Sequence, residues 1–269
     1  ARIKRFRLKK SADNKRGGYS IMKKILFILS LALATTFTCF AANPASDFFY
    51  DMAPDGQGVM LKSYKGKSTT VVIPDTIEGL PVTQIGEKSE WAGRFFPHTM
   101  YKSSCNTPYT ITVPKSVKVI GNNAFRGVKG KINIDISNLT SIGKEAFAES
   151  DIAGTIKISK GMKFTGPDAF RKTKITSVIV EEGVTSLGYD DYVPDGTFME
   201  CPNLKSVTLP ASLTKINGIP FNGCAALSEV KIPDGTKIEY KDSRVFSMCS
   251  SLTLAVKSKI KASGYTGEF

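Results

Sequence analysis

Histidine is almost missing from this chain: His98 is the only one in 269 residues, and Trp91 is the only tryptophan. One imidazole leaves no material for a multi-histidine metal site, and little for a nucleophile activated by a histidine base. His98 itself lies in an insertion and reads as a surface residue. Cysteine is sparse, with five residues and no close pair of the zinc-binding kind. No glycine-rich phosphate loop and no dinucleotide fingerprint occurs. The paired carboxylates Glu181/Glu182 and Asp190/Asp191 are adjacent in sequence, and local charge or turn chemistry explains them without a general acid and base. These gaps argue against an enzyme, a metal site and a bound cofactor.

Charge of one sign is also scarcer than the total suggests. The formal net charge of +13 invites a nucleic-acid reading, but residues 1–41 hold ten of the 37 basic residues and one of the 24 acidic ones. Residues 42–269 therefore carry only +4, so no nucleic-acid partner is implied. The basic stretch reads as a leader. Met22-Lys23-Lys24 gives a positive start, Ile25 to Leu33 an apolar run, and Cys39-Phe40-Ala41 a cleavage site. The run is shorter than the ~20 residues of a spanning helix, so no membrane span is expected in the mature chain. Residues 1–21 then precede a natural start, 22–41 are a signal peptide, and the mature chain begins near Ala42. Cys39 raises a lipoprotein alternative, although Phe37 is too bulky for a good lipobox.

What is abundant is repetition. Two apolar residues flank one other residue at Val71/Ile73, Ile111/Val113, Ile132/Ile134, Ile156/Ile158, Val178/Val180, Val207/Leu209, Val230/Ile232 and Leu254/Val256, implying eight strands. Their spacings are 40, 21, 24, 22, 29, 23 and 24 residues, close to one period inside the ~20–29 residue range of leucine-rich repeats. Each unit has a second half, clearest in Ile120-Gly121 to Phe125 and Ile142-Gly143 to Phe147, and looser around Phe170, Phe198, Phe221 and Phe246. A unit this small buries its apolar face only by stacking on its neighbours, with one Phe per repeat entering a continuous core.

The pattern Leu204, Val207, Leu209, Pro210, Ile216, Phe221, Cys224 resembles the BspA-like leucine-rich-repeat family of bacterial surface proteins. The likeness runs over about residues 48–257 and includes an opening unit, Val71-Val72-Ile73-Pro74 to Ile85-Gly86, similar to the family's usual first repeat. The resemblance implies an α/β repeat fold: a right-handed solenoid with one parallel β-sheet. It also implies export, with secretion, outer-membrane association or a cell-surface location, and adhesion to host matrix or plasma proteins such as fibronectin and fibrinogen. The expected organisation is an N-terminal capping hairpin in 42–62, turning at Asp55-Gly56, about eight repeats in 63–257, and a C-terminal cap in 258–269 in which Ile260, Ala262 and Tyr265 pack.

Candidate binding residues follow from the two departures from the period and from the sheet face. Insertions in repeat proteins form loops on one face and often carry recognition. The 40-residue spacing adds about 17 residues with Trp91, Phe95, Phe96 and Tyr101, and the 29-residue spacing adds about six with Tyr189 and Tyr192. These aromatics suit a protein or carbohydrate partner, or else pack each loop on its own repeat, and one of Phe95 and Phe96 is expected to be the core Phe of its unit. The outward stripe Val72, Thr112, Asn133, Lys157, Ile179, Thr208 and Lys231, beside Lys131, Thr155, Ser177, Ser206 and Glu229, is polar, small and mildly basic. It reads as a solvated face or as a broad platform about 35 Å long for a protein, with no deep pocket. Cys201, Cys224 and Cys249 recur at one repeat position. They fit either a ladder of small buried thiols or disulfides between stacked neighbours, and Cys105 stands apart from them in the first insertion. A structural envelope component is the third functional class in view.

Overall fold

The computed structural model describes residues 41–89, 94–96, 107–188 and 196–269. Contacts divide the chain into residues 1–41 and 42–269, and the second unit holds all the described strands and helices. The expected leader up to residue 40, with Cys39, and His98 and Cys105 lie outside the described residues.

The unit opens with a hairpin, β1 (Phe48–Met52) antiparallel to β2 (Val59–Tyr64). Gln57 N–H donates to Asp55 Oδ1 at 2.9 Å, which fixes the expected turn. From there the chain alternates a face strand with a short return strand. First come β3 (Thr70–Val72), the two-residue β4 (Thr76–Ile77) and β5 (Leu80–Ile85). Next are β6 (Tyr109–Thr112) with β7 (Val119–Ile120), β8 (Gly130–Asn133) with β9 (Ser141–Ile142), and β10 (Ala153–Ile158) with β11 (Phe164–Thr165). The last are β12 (Lys174–Val180) with β13 (Ser186–Leu187), β14 (Ser206–Thr208) with β15 (Lys215–Ile216), and β16 (Glu229–Lys231) with β17 (Glu239–Tyr240). The helix α1 (Leu254–Ala262) follows.

Two features correct the sequence reading. The face strands form two parallel sheets, β3-β6-β8 and β10-β12-β14-β16, rather than one. They also number seven, because Leu254/Val256 belongs to α1: Thr253 caps the helix by accepting the Val256 N–H, and Leu254 is 84% exposed. The return strands make their own ladders, β2-β5-β7-β9-β11 and β13-β15-β17.

Between face and return strands lies a column of rings. Phe125, Phe147, Phe170, Phe198, Phe221 and Phe246 stack in order, with centroids 5.2, 5.2, 5.4, 5.9 and 5.5 Å apart and planes within 13° of parallel. Tyr265 closes the last ring edge-on at 5.3 Å. Ile260 and Tyr265 are buried as expected, whereas Ala262 is exposed. Two residues past each column Phe the backbone enters the left-handed region, at Gly127, Glu149, Lys172, Glu200, Gly223 and Met248, with φ between 55° and 71°. No helix among the described residues is long and apolar enough to cross a membrane.

Candidate functional site

The face strands place side chains alternately inward and outward, and the ladders put equivalent positions in line. In the first sheet Val72, Thr112 and Asn133 are partners across the strands, beside Thr70, Thr110 and Lys131. In the second, Lys157, Ile179, Thr208 and Lys231 align beside Thr155, Ser177, Ser206 and Glu229. Between these rows Val71, Ile111, Ile156, Val178, Val207 and Val230 point into the core. Lys131, Lys157, Lys231 and Thr112 are exposed, and Val72, Asn133, Ile179 and Thr208 are half-buried. The hydroxyls of Ser177 and Ser206 bond at 2.8 Å, and Lys231 pairs with Glu229 at 3.2 Å. Thr70 and Thr110 extend the outer row beyond what the spacing suggested.

The ends of this face are covered. Asn43 N–H donates to Val72 O at 2.8 Å and its Oδ1 accepts from Val72 N–H at 2.8 Å, closing the free edge of β3. At the far end α1 packs against β16. Where the sheet divides, between β8 and β10, the structure holds an open cleft of about 250 Å³. Ile132, Ile134, Ile136, Ile152 and Ile156 form its apolar walls, and Asp135, Ser137, Thr155 and Lys157 lie at its polar rim. Asp135 is engaged at that rim, accepting from Ser137 N–H at 3.1 Å and Ser137 Oγ at 2.6 Å.

Phe95 and Phe96 leave the candidate surface. They are 0% and 1% exposed, meet edge-on at 5.0 Å, and extend the ring column toward Phe48 and Tyr64. Tyr64 N–H donates to Phe95 O at 2.8 Å. Both residues are core, since a surface position would forfeit their burial. Trp91, Tyr101, Tyr189 and Tyr192 lie outside the described residues.

The repeated cysteines are free and buried. Each thiol donates to the carbonyl of the Phe one repeat earlier: Cys201 to Phe170 at 3.1 Å, Cys224 to Phe198 at 3.2 Å, and Cys249 to Phe221 at 3.2 Å. Burial pushes all three thiols above the ordinary value, Cys249 to about 12. They pack as small groups with a weak donor and are not thiolates at neutral pH. Thr173 and Ser150 occupy the same slot in earlier repeats and are equally buried. Among the described residues no group of three or more His, Cys, Asp or Glu side chains is placed to hold a metal ion.

A family model for the BspA type leucine rich repeat region matches residues 98–192 and 191–265, in six copies. Among solved structures, a leucine-rich-repeat protein of T. pallidum is 27% identical over 85% of this chain and 99% of its own, with a TM-score of 0.66. One from Bacteroides ovatus is 23% identical over 80% of this chain and 52% of its own, with a TM-score of 0.56, a likeness of fold. No curated protein matches significantly.

Proposed function

This chain belongs to the BspA type leucine-rich-repeat family, and on that premise we propose that it is an exported, non-catalytic module that binds a protein partner across the face of its two parallel sheets. The observation that carries this reading is the registered outer face itself. The ladders hold the rows Thr155-Ser177-Ser206-Glu229 and Lys157-Ile179-Thr208-Lys231 in line. Short Ser and Thr side chains have little rotamer freedom to lose on contact, so a partner meets a nearly preorganised surface. Among the described residues neither Lys131 nor Lys157 has a carboxylate in ion-pair range, which favours an acidic partner surface. Seven strands at roughly 4.8 Å spacing give a face wide enough for a standard interface. The hairpin β1–β2 serves as the N-terminal cap in this reading, and adhesion to matrix or plasma proteins of the fibronectin and fibrinogen kind is the expected use.

The test is a binding screen of the purified protein against immobilised fibronectin, fibrinogen and a glycan array, with folded Lys157→Glu/Lys231→Glu and Trp91→Ala variants alongside. Saturable protein binding that drops at least tenfold in the double lysine variant supports the face. Protein binding that the double variant leaves intact removes the face from the reading. A glycan response lost in Trp91→Ala would replace a protein partner with carbohydrate, and silence throughout would favour an envelope component.

A further inference from the structure

We infer that the cleft between β8 and β10 is a strand-accepting site, where an extended segment of the protein partner, aliphatic on its inner side and acidic on its outer side, seats as an added strand. The inference rests on the protein-binding reading above and locates it within the face.

The opening is local. The two repeats on either side of the cleft stay joined through their other halves. β9 pairs with β11, Phe147 stacks on Phe170 at 5.2 Å, and the amides of Glu145, Phe147 and Glu149 donate to the carbonyls of Pro167, Ala169 and Arg171 at 2.8–2.9 Å. Only on the face is there no ladder, although the other neighbouring face strands are paired.

The backbone direction shows what lines the gap. In a strand, N–H and C=O groups point alternately to the two sides. Val113 N–H donates to Asn133 O at 2.9 Å, so Asn133 and Lys131 turn toward β6, and the backbone groups of Ile132 and Ile134 turn toward the cleft. Glu181 N–H donates to Ile158 O at 2.9 Å, so Ile158 and Ile156 turn toward β12, and Thr155 and Lys157 turn toward the cleft. Two strand edges therefore face each other across one space. Proteins cover such edges because they pair with other chains, and this one covers the β3 and β16 ends with Asn43 and α1. At the start of β8 it also occupies Gly130 N–H with Asp151 Oδ2 at 3.1 Å. At the other end the 3-10 turn Ile136–Asn138 packs against β10 and Ser159 Oγ donates to Ser137 O at 3.4 Å; the interior edges between these two plugs are left for a strand from elsewhere, the arrangement that β-augmentation uses.

The side chains select the strand. Five Ile residues wall a space of about 250 Å³, roughly the volume of eight waters and enough for one or two aliphatic side chains. Lys157 on the rim and Lys131 beside it are exposed, and they favour carboxylates on the outward side of the incoming strand. Lys129 and Lys174 take no part, being held by Asp151 at 3.9 and 3.0 Å.

The experiment uses the full chain and a fluorescein-labelled peptide of alternating valine and glutamate, read by anisotropy, beside the same peptide N-methylated at alternate amides. Thr155→Pro removes an edge N–H that faces the cleft and lies outside the β10–β12 ladder, a position where proline is tolerated. Saturable binding that falls at least tenfold with the methylated peptide, and likewise in folded Thr155→Pro, is the expected result. If Thr155→Pro does not fold, the methylated peptide decides alone. Equal binding of the two peptides overturns strand addition. If the plain peptide fails to bind while the protein still captures a partner in the screen above, the cleft proposal fails and the face reading stands. Silence in both removes both.

Discussion

Met248 stands in the left-handed region at φ 62°, two residues past the last column Phe, and its side chain is 68% exposed. A non-glycine residue there costs about 1–2 kcal/mol through its Cβ against the following carbonyl. Glycine removes that clash but gives back about 0.5–1 kcal/mol of backbone entropy. Met248→Gly sacrifices little packing, so the expected net gain is about 0.5–1 kcal/mol. For a unit of this size that raises the Tm by roughly 1–4 °C. Lys172→Gly at the same repeat position should gain less, because it also removes the 3.1 Å ion pair with Glu200, worth up to about 1 kcal/mol at the surface. The reverse change, Gly223→Ala, should destabilise: φ is 71° and an added Cβ would lie 3.0 Å from Glu200 Cγ. Calorimetry and urea unfolding of the three variants form the assay. A Tm that falls in Met248→Gly, as it would for glycine placed in an ordinary strand or turn, refutes the reasoning.

Phe170→Ala should lose about 3–5 kcal/mol in urea unfolding. Phe170→Leu keeps most of the volume but forfeits the stacks on Phe147 and Phe198 at 5.2 and 5.4 Å, and should lose about 1–3 kcal/mol. Cys224→Ala leaves the Phe198 carbonyl without its 3.2 Å donor and should cost about 1–3 kcal/mol. Cys224→Ser should cost less, because Ser150 already fills that slot in another repeat. Iodoacetamide labelling followed by mass spectrometry should modify Cys201, Cys224 and Cys249 only after unfolding, since burial raises all three thiols. Asp151 and Asp242 titrate below the ordinary 3.8. For Asp151, burial pushes upward but is outweighed by the Gly130 amide and by Lys174 and Lys129. For Asp242, the Arg244 side chain dominates. Their stabilisation is complete above the ordinary value and is lost as pH falls through the lowered folded value, so Asp151→Asn should flatten the decline in stability below about pH 4.

Much of the fold was legible because each repeat states the same pattern again. The paired apolar positions locate seven face strands, and the Phe that recurs once per repeat from Phe125 to Phe246 marks a core position. The eighth pair, Leu254/Val256, misleads because a single apolar pair is too short to fix a period. Thr253, a good N-cap, was the discriminating sign. The sheet break left no mark in the period, since Ile132 and Ile156 sit at an ordinary spacing of 24 residues. Its cause is distributed: a 3-10 turn at Ile136–Asn138 follows β8, and a register shift at Gly154/Thr155 opens β10. The cysteine slot was visible only in its later copies. Val128, Ser150 and Thr173 fill the same buried position in earlier repeats, so the slot selects for modest size rather than for one chemistry, a rule that the cysteines alone conceal.

The divided sheet also has a mechanical meaning. Repeats bound along one margin by stacked rings and return-strand ladders, and unbound along the other, resemble leaves sewn at the spine. Stress along the stack meets resistance where strands are laddered and compliance where they are not, so bending is favoured at the face break between β8 and β10 and at the return-side break between β11 and β13, one repeat apart on opposite margins. Such an array can adjust to a curved surface at these breaks while the paired stretches on either side keep their own pattern of side chains.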